Sequence, residues 1–294
     1  MLKNLDGSTA LPAQGSQALR PGTGVRPPRI AVMDVGMGML ATASELRRLR
    51  PDADLVLATD PDGMPWGVRT PEDLTARALL VASSAAAEQP DLLIVACNAA
   101  TLHALPAIQE SLGPEMPVLG TLPSVQAAAA AGGAFAVWGT PTGVRSPQLD
   151  ELLRRSAPDV PVARVACHGL SDAIERADPE AVTNAIAAAA DRTPGDVRSV
   201  VLACTHYELV TPQIQTALQR GSRTAPTLYG SAETLAVQAL TRLGLQPRLD
   251  APPTGCLTVL RSGRVESLPE AALAYPHGQL LQAPLPTTRP VGRQ

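Results

Sequence analysis

Two short stretches of the chain share one pattern of apolar and polar positions. Asp91–Asn98 and Ser199–His206 each contain a continuous apolar run that stops at Ala-Cys, and small polar residues follow at once. A short run of this kind is typical of a parallel strand that is buried on both faces. Because ligands of open parallel sheets bind beyond the carboxyl ends of the strands, we expect Cys97 and Cys204 to face a polar ligand.

The rest of the chain alternates between short apolar runs and longer segments with helical periodicity. The other predicted strands cover residues 30–33, 54–59, 117–120, 134–139, 162–166 and 227–229, and residues 257–261 and 265–268 suggest a small hairpin. Strands that alternate with amphipathic helices indicate α/β layers with parallel sheets. The strands form two series, so we predict an α/β fold with two similar lobes, mainly parallel sheets and an active site in the cleft between them.

The same pattern predicts four parts of the chain. Residues 1–28 lack periodic apolar positions and are predicted to be a disordered tail. The first lobe is expected at 29–120 plus 225–268, since the chain returns to it at the end, and the second lobe at 121–224. From residue 269 to residue 294 the pattern is lost, which predicts a loose C-terminal tail.

Composition narrows the class of protein. The chain has 294 residues, of which 45% are hydrophobic and 17% charged, enough for a sizeable core. A net charge of -3 gives no electrostatic reason to expect nucleic acid as a partner. No apolar run approaches the ~20 residues that span a bilayer, and no secretory signal is visible. These features predict a cytoplasmic protein without a membrane partner.

Cysteine and lysine usage bears on the chemistry. The four cysteines, Cys97, Cys167, Cys204 and Cys256, are far apart, so neither a disulfide framework nor a zinc site is expected, and the scattered histidines suggest no other metal site. The only lysine is Lys3, in the predicted tail. Its position excludes a Schiff-base mechanism and favours a reaction without a cofactor.

Two thiols at strand ends suit one kind of reaction. Inverting a stereocentre requires a base on one face of a carbon and an acid on the other, and a thiolate and a thiol can fill these roles. Asp34, at the end of the first strand, is placed to orient or deprotonate Cys97. His206 is placed to do the same for Cys204, although a histidine there can also be a buried structural residue.

Two short polar residues follow the cysteines. Asn98 and Thr205 suit the capping of the next helix, and that is their simplest role. A helix N-terminus also favours a bound carboxylate, so the same residues can contact a substrate. Both roles can hold at once.

These motifs resemble those of a known family. Cys97–Thr101 is similar to one cysteine motif, and Cys204–Tyr207 matches the other outright, in the cofactor-independent glutamate racemases of the aspartate/glutamate racemase superfamily. The resemblance covers about residues 29–243. Supporting matches are Met64–Gly67, Gly139–Pro141, Val144–Ser146 and Ser231–Glu233.

The resemblance implies a function and assigns residues to it. It implies interconversion of L- and D-glutamate for peptidoglycan, with an amino acid as the small-molecule substrate and no cofactor. It also implies that Asp34 assists Cys97, while His206 and Glu175 assist Cys204. The substrate contacts that it implies are Val35, Trp66, Gly67, Asn98, Ala99 and Thr205. A homodimer is left open as the assembly.

Three of these positions depart from the family pattern. Val35, Trp66 and Ala99 stand where the family has hydroxyl side chains, and losing a hydrogen bond to a charged group costs about 1.5–3 kcal/mol. One alternative is therefore a diverged relative that acts on another acidic or more apolar substrate. A second alternative is a non-catalytic binding or regulatory protein with the same fold. The presence of both cysteines favours racemase chemistry.

Overall fold

The computed structural model describes residues 26–219 and 225–282, so residues 1–25 of the predicted N-terminal tail and residues 283–294 of the predicted C-terminal tail lie outside the described residues. The strands are β1 (Arg29–Met33), β2 (Asp54–Thr59), β3 (Leu92–Val95), β4 (Val118–Gly120), β5 (Phe135–Gly139), β6 (Val162–Ala166), β7 (Ser199–Leu202), β8 (Thr227–Tyr229), β9 (Leu257–Arg261) and β10 (Arg264–Glu266).

Helices separate most of these strands, as the apolar periodicity predicts. The helices are α1 (Leu40–Leu49), α2 (Pro71–Ala87), α3 (Asn98–Leu112), α4 (Val125–Ala130), α5 (Pro147–Ser156), α6 (Leu170–Glu175), α7 (Pro179–Asp191), α8 (Thr211–Leu218), α9 (Ala232–Arg242) and α10 (Pro276–Gln282). Short 3-10 helices occur at Met37–Met39, Pro61–Gly63, Trp66–Val68, Gly143–Arg145, Thr205–Val210 and Glu270–Ala274. The α/β class and the two strand series are thus confirmed.

The two sheets share one strand order. The first sheet has the order β10-β9-β2-β1-β3-β4, and the second has the order β6-β5-β7-β8. All pairings are parallel except that of β9 with β10, which form the predicted hairpin. The sequence β2-β1-β3-β4 in the first sheet corresponds to β6-β5-β7-β8 in the second. Consequently β3 and β7 occupy equivalent positions, which makes their carboxyl ends equivalent too.

A continuous apolar core lies between the sheets. It contains residues of α1, α9 and α10 from the first lobe and of α6, α7 and α8 from the second. A second core packs α2 and α3 on the outer face of the first sheet, and a third packs α4 and α5 on the outer face of the second. Helices on both faces of each sheet explain why the central strands are apolar on both sides.

The strand β8 belongs to the second lobe, whereas the sequence predicted it in the first lobe. Residues from 225 onward were expected in the first lobe, yet β8 pairs with β7 and completes the second sheet. The physical reason is that Thr227–Tyr229 is a short apolar strand that pairs in parallel with β7 before the chain crosses back to the first lobe. The chain returns to the first lobe only at α9, which packs against α1.

The segment after Pro269 corrects the prediction of a loose tail. Residues 270–274 form a 3-10 helix, α10 follows, and the described part of the segment packs against α1. Tyr275 and Leu281 are buried in the core between the sheets. A few apolar side chains without helical periodicity are sufficient to anchor this segment, and for that reason the pattern missed it.

Candidate active site

A cavity of about 420 Å³ lies between the two lobes. It receives side chains from the carboxyl ends of β1, β3, β5 and β7 and from the loops that follow them. The structure brings all eleven residues that the sequence singled out to its wall, and they are Asp34, Val35, Trp66, Gly67, Cys97, Asn98, Ala99, Glu175, Cys204, Thr205 and His206. The strand ends of both sheets therefore open into one site.

Cys97 lies two residues after the strand β3 and caps a regular helix. Its backbone is extended, its carbonyl accepts the amide of Thr101 at 2.8 Å, and α3 begins at the next residue. Burial raises the pKa of the Cys97 thiol well above its ordinary value, the negative charge of Asp34 raises it further, and a hydrogen bond from the Ala100 amide lowers it in part. At neutral pH this cysteine is a neutral thiol.

Asp34 lies beneath the site and is fully buried. Burial raises its pKa to about 6, although His206, the Val35 amide and the hydroxyl of Thr205 all favour the carboxylate. The Val35 amide donates to Oδ1 at 2.6 Å, and Thr205 Oγ1 donates to Oδ2 at 3.0 Å. The Thr205 bond crosses from the second lobe to the first, so Asp34 links the two halves of the site.

Cys204 lies two residues after the strand β7 and has a different set of neighbours. Its sulfur lies 3.9 Å from His206 Nδ1, and His206 Nε2 lies 2.9 Å from Glu175 Oε2. Burial lowers the pKa of His206, but hydrogen bonds to Cys204 and Glu175 and the charge of Asp34 outweigh burial and hold the pKa well above its ordinary value. Burial likewise raises the pKa of Glu175, and the interactions with His206 outweigh it and lower that pKa.

These neighbours form a chain of charges on the Cys204 side. A protonated His206 presents a positive charge to the Cys204 sulfur, and the carboxylate of Glu175 stabilises that charge from the far side of the ring. Glu175 also accepts the Met37 amide at 2.8 Å, which connects it to the first lobe. The arrangement of thiol, imidazole and carboxylate is one that activates a nucleophile or base.

Two glycines after β1 allow the halves of the site to approach each other. A Cβ atom on Gly38 would meet Thr205 Oγ1, would lie 2.5 Å from Asp34 Oδ2 and would lie 2.7 Å from His206 Nδ1. A Cβ atom on Gly36 would lie 2.5 Å from Glu175 Oε2. The structure shows that the absent side chains leave room for the polar groups of the second lobe.

The polar residues after the cysteines differ in their bonding. Thr205 donates to Asp34, whereas Asn98 Oδ1 is buried without a hydrogen-bond partner. Neither side chain caps the helix that follows, which was the simplest role expected of them. A buried acceptor without a partner costs free energy unless a ligand supplies a donor. Asn98 is therefore the clearest unfilled binding group on the Cys97 side.

Three positions make the wall near Cys97 apolar. Val35 and Ala99 line the cavity with hydrocarbon, and Trp66 is only 1% exposed. The indole N–H of Trp66 donates to Asp60 Oδ2 at 2.9 Å, so this donor is already occupied. The first-lobe wall therefore offers no side-chain hydroxyl at these three positions.

Several residues of the cavity were missed by sequence reasoning. They include Cys167, Asp172 and His103, together with Thr140, Thr142 and Ser146 of the hydroxyl-rich loop after β5. Burial raises the pKa of Cys167 to about 12, the charge of Cys204 adds to this, and Arg192 opposes it in part. The position of Cys167 in the sequence could have identified it, because it follows the strand β6, as Cys204 follows the strand β7.

Residues 26–219 and 225–282 contain neither a candidate metal cluster nor a candidate membrane span. No group of three or more histidine, cysteine, aspartate or glutamate side chains there is arranged to hold a metal ion. Across the same residues, no helix is both long enough and apolar enough to cross a membrane.

Comparison with known proteins places the chain in a family. The profile of the Asp/Glu/Hydantoin racemase family matches residues 37–237. A glutamate racemase of Sphingopyxis alaskensis is 34% identical over 259 residues, which cover 85% of this chain and 94% of that protein.

Solved structures show the same fold. The glutamate racemase isoform RacE1 of Bacillus anthracis superimposes with a TM-score of 0.62 at 26% identity, over 81% of this chain and 88% of that one. The Escherichia coli glutamate racemase, crystallised with L-glutamate and the activator UDP-MurNAc-Ala, gives a TM-score of 0.70 at 22% identity, over 84% and 92% of the two chains.

Proposed function

Since this chain belongs to the Asp/Glu/Hydantoin racemase family and is an isomerase of the racemase type, we propose that it interconverts L- and D-glutamate without a cofactor. Cys97 and Cys204 act as the acid and the base. The observation that carries the proposal is that two thiols reach one cavity from equivalent strand ends of two similar sheets. Each thiol has its own ionisable neighbour, Asp34 for Cys97 and His206 for Cys204.

In the proposed reaction each cysteine exchanges one proton with Cα of the substrate. In one direction the Cys204 thiolate, beside the protonated His206, removes the proton from Cα of the substrate. An S–H bond forms, and the electron pair of the broken C–H bond stays on Cα, where the substrate carboxylate group delocalises it. The neutral thiol of Cys97 then gives its proton to the opposite face of Cα and becomes a thiolate. The reverse reaction exchanges the two roles, so atoms and charges balance.

Asp34 has a distinct part in this scheme. Its pKa of about 6 lies close to neutrality, so its carboxyl group can take up or release a proton near the working pH. As a carboxylate it also accepts the Thr205 hydroxyl, which fixes the second lobe relative to the first.

Substrate binding is assigned to the groups that lack partners. The Oδ1 atom of Asn98 suits the α-ammonium group of an amino acid, because it is a buried acceptor in need of a donor. The amides at the start of α3 suit the α-carboxylate. The remaining proposed contacts are Val35, Trp66, Gly67, Ala99 and Thr205, all of which line the cavity.

A second candidate substrate has more apolar surface than glutamate. Val35 and Ala99 present hydrocarbon where hydroxyls were expected, Trp66 uses its N–H on Asp60, and Leu102 and Leu122 extend the apolar wall. An amino acid with a larger or less polar side chain loses less solvation free energy in such a cavity than glutamate does.

The experiment that tests the proposal is hydrogen exchange at Cα in deuterated water, followed by NMR and chiral chromatography. We expect each glutamate enantiomer to lose its Cα–H signal while the other enantiomer appears. The matched control is the double variant Cys97→Ala with Cys204→Ala, which should show neither change. Racemisation by that variant would refute the thiol mechanism, and absence of exchange by the wild type with any amino acid would favour a binding protein.

The same assay separates the two substrate candidates. Aspartate and amino acids with larger apolar side chains are compared with glutamate at equal concentration. Faster exchange of an apolar amino acid would favour the second candidate. A supply of D-glutamate for peptidoglycan in the cytoplasm also belongs to the proposal, and it is tested by rescue of a bacterium that requires D-glutamate for growth.

A further inference from the structure

Tyr275 connects the C-terminal segment to the second lobe. Its side chain is buried, and its hydroxyl donates to the carbonyl oxygen of Ile174 at 2.7 Å, across 101 positions of the sequence. Burial and the negative charge of Glu175 raise the pKa of Tyr275, so the hydroxyl stays a neutral donor. The segment that carries Tyr275 packs against α1, in the first lobe.

The carbonyl that Tyr275 holds belongs to the last turn of α6. This helix has only six residues and ends at Glu175, directly after Ile174. A helix of this length has little stability of its own, because isolated helices shorter than about 12–15 residues are marginal in water. After Arg176 the chain passes through Ala177 at φ 50°, a conformation unusual for a residue other than glycine. Tertiary contacts must therefore fix the end of α6.

Glu175 needs a defined backbone position to make its contacts. A single oxygen, Oε2, accepts the Met37 amide at 2.8 Å and lies 2.9 Å from His206 Nε2. Two partners on one atom leave little tolerance for a shift of the helix end. The Tyr275 hydroxyl donates to the carbonyl of Ile174, the residue before Glu175. Through this hydrogen bond the C-terminal segment contacts the last turn of α6.

From this geometry we infer that Tyr275 is a positioning residue for catalysis. Its hydroxyl fixes the Ile174 carbonyl, the fixed carbonyl aims Glu175 at His206, and His206 in turn serves Cys204. The inference rests on the proposed role of Glu175. It predicts that a hydroxyl of the C-terminal segment, outside the cavity, affects the Cys204 side of the reaction more than the Cys97 side.

The first test is a double-mutant cycle with Tyr275→Phe and Glu175→Gln, using glutamate racemisation as the readout. We expect Tyr275→Phe to lower kcat roughly tenfold, as loss of an aligned hydrogen bond can do, with KM changed less than about twofold because the substrate contacts remain. In the Glu175→Gln background the same change should have no further effect, since both variants disturb one unit. Tyr229→Phe, on β8 and outside the cavity, is the matched control and should leave kcat unchanged.

The cycle separates failure of this inference from failure of the proposed function. If Tyr275→Phe lowers kcat by the same factor with and without Glu175, the inference is wrong and the role of Glu175 stands. If Glu175→Gln leaves kcat unchanged, both the role of Glu175 and the inference are wrong. Urea unfolding of each variant shows whether a loss of rate reflects a loss of fold.

The second test uses glutamate deuterated at Cα in both directions of the reaction. If Tyr275 serves Cys204, Tyr275→Phe should raise the isotope effect in the direction in which Cys204 removes the deuteron. In the other direction, in which Cys97 removes it, the isotope effect should fall because that step limits the rate less. A merely structural role would move both isotope effects alike, and that result would overturn the inference.

Discussion

The Cys97 and Cys204 sides of the cavity occupy the same place in two similar sheets and yet differ in chemistry. Cys97 caps the long helix α3 and is buried beside a carboxyl group whose pKa is raised to about 6. Cys204 precedes a 3-10 helix, is partly exposed, and lies beside an imidazole that a second carboxylate supports. Topology therefore gives the two cysteines equivalent positions, and the neighbouring side chains give these positions different chemistry.

The difference also extends to how each side is held in place. The Cys97 side is followed by a 15-residue helix that packs on its own sheet. The Cys204 side depends on contacts with distant elements: Glu208, four residues on, accepts the Ser231 hydroxyl and amide at 2.8 Å and the Ala232 amide at 3.1 Å. Short helices require such anchors.

The largest expected effect comes from placing a side chain in the narrow space between the Cys97 side and the Cys204 side. Gly38→Ala places a Cβ atom among Thr205, Asp34 and His206, so these groups must separate. We expect kcat/KM for racemisation to fall about 100-fold or more, the size of a lost general acid–base contribution. Steady-state racemisation assays and a urea unfolding curve measure the effect. Activity within twofold of the wild type would show that the close contact across the lobes is unnecessary.

The pH dependence of the rate distinguishes the Cys97 side, with Asp34, from the Cys204 side, with His206. A raised pKa means that Asp34 takes up its proton at a higher pH than a free aspartate, so its carboxylate is lost as pH falls through about 6. His206 stays protonated across this range because its pKa is raised as well. The rate should therefore fall about tenfold per pH unit below 6.

The variant that checks this assignment is Asp34→Asn. It should be slower at neutral pH and should lack the fall in rate near pH 6. A variant that retains the same acidic limb would assign that limb to another group.

Restoring hydroxyls on the Cys97 side sharpens the comparison of substrates. The double change Val35→Ser with Ala99→Thr returns two hydrogen-bonding groups to the wall of the cavity. If the native substrate is not glutamate, kcat/KM for glutamate should rise about tenfold, which corresponds to about 1.4 kcal/mol of transition-state binding. Efficient turnover of glutamate by the wild type, together with no gain in the variant, would reject the altered-substrate alternative.

The smallest effect is expected at the anchor of the Cys204 side. Ser231→Ala removes one of the donors to the buried carboxylate of Glu208. We expect the free energy of unfolding to fall by about 0.5–1.5 kcal/mol, the usual net value of one hydrogen bond. Urea unfolding measures this change, and Thr241→Ala, which removes a hydroxyl bonded within α9, is the control. Equal losses of unfolding free energy in both variants would show that the bond from Ser231 to Glu208 contributes no more than a hydroxyl bonded within one helix.

Sequence reasoning reached the strands and the two thiols because both leave a local signal. An apolar run that stops at cysteine marks a strand end, and parallel topology then brings strand ends together. Glu175 was found only through the family resemblance, since no local pattern distinguishes it. The bond from Tyr275 to Ile174 and the pairing of β8 depend on contacts far apart in sequence, which periodicity does not encode. Trp66 was located correctly, but its bond to Asp60 was not foreseen.

The most direct test of the central claim is exchange at Cα in deuterated water by the single variants Cys97→Ala and Cys204→Ala, each given L- and D-glutamate separately. Each variant keeps one thiol, so neither should racemise, and each should exchange only the enantiomer whose Cα–H faces the remaining sulfur. The two variants should therefore prefer opposite enantiomers, while Cys256→Ala, at an exposed cysteine, should behave as the wild type does. Racemisation by either single variant, or the same preferred enantiomer for both, would contradict a mechanism with two thiols on opposite faces.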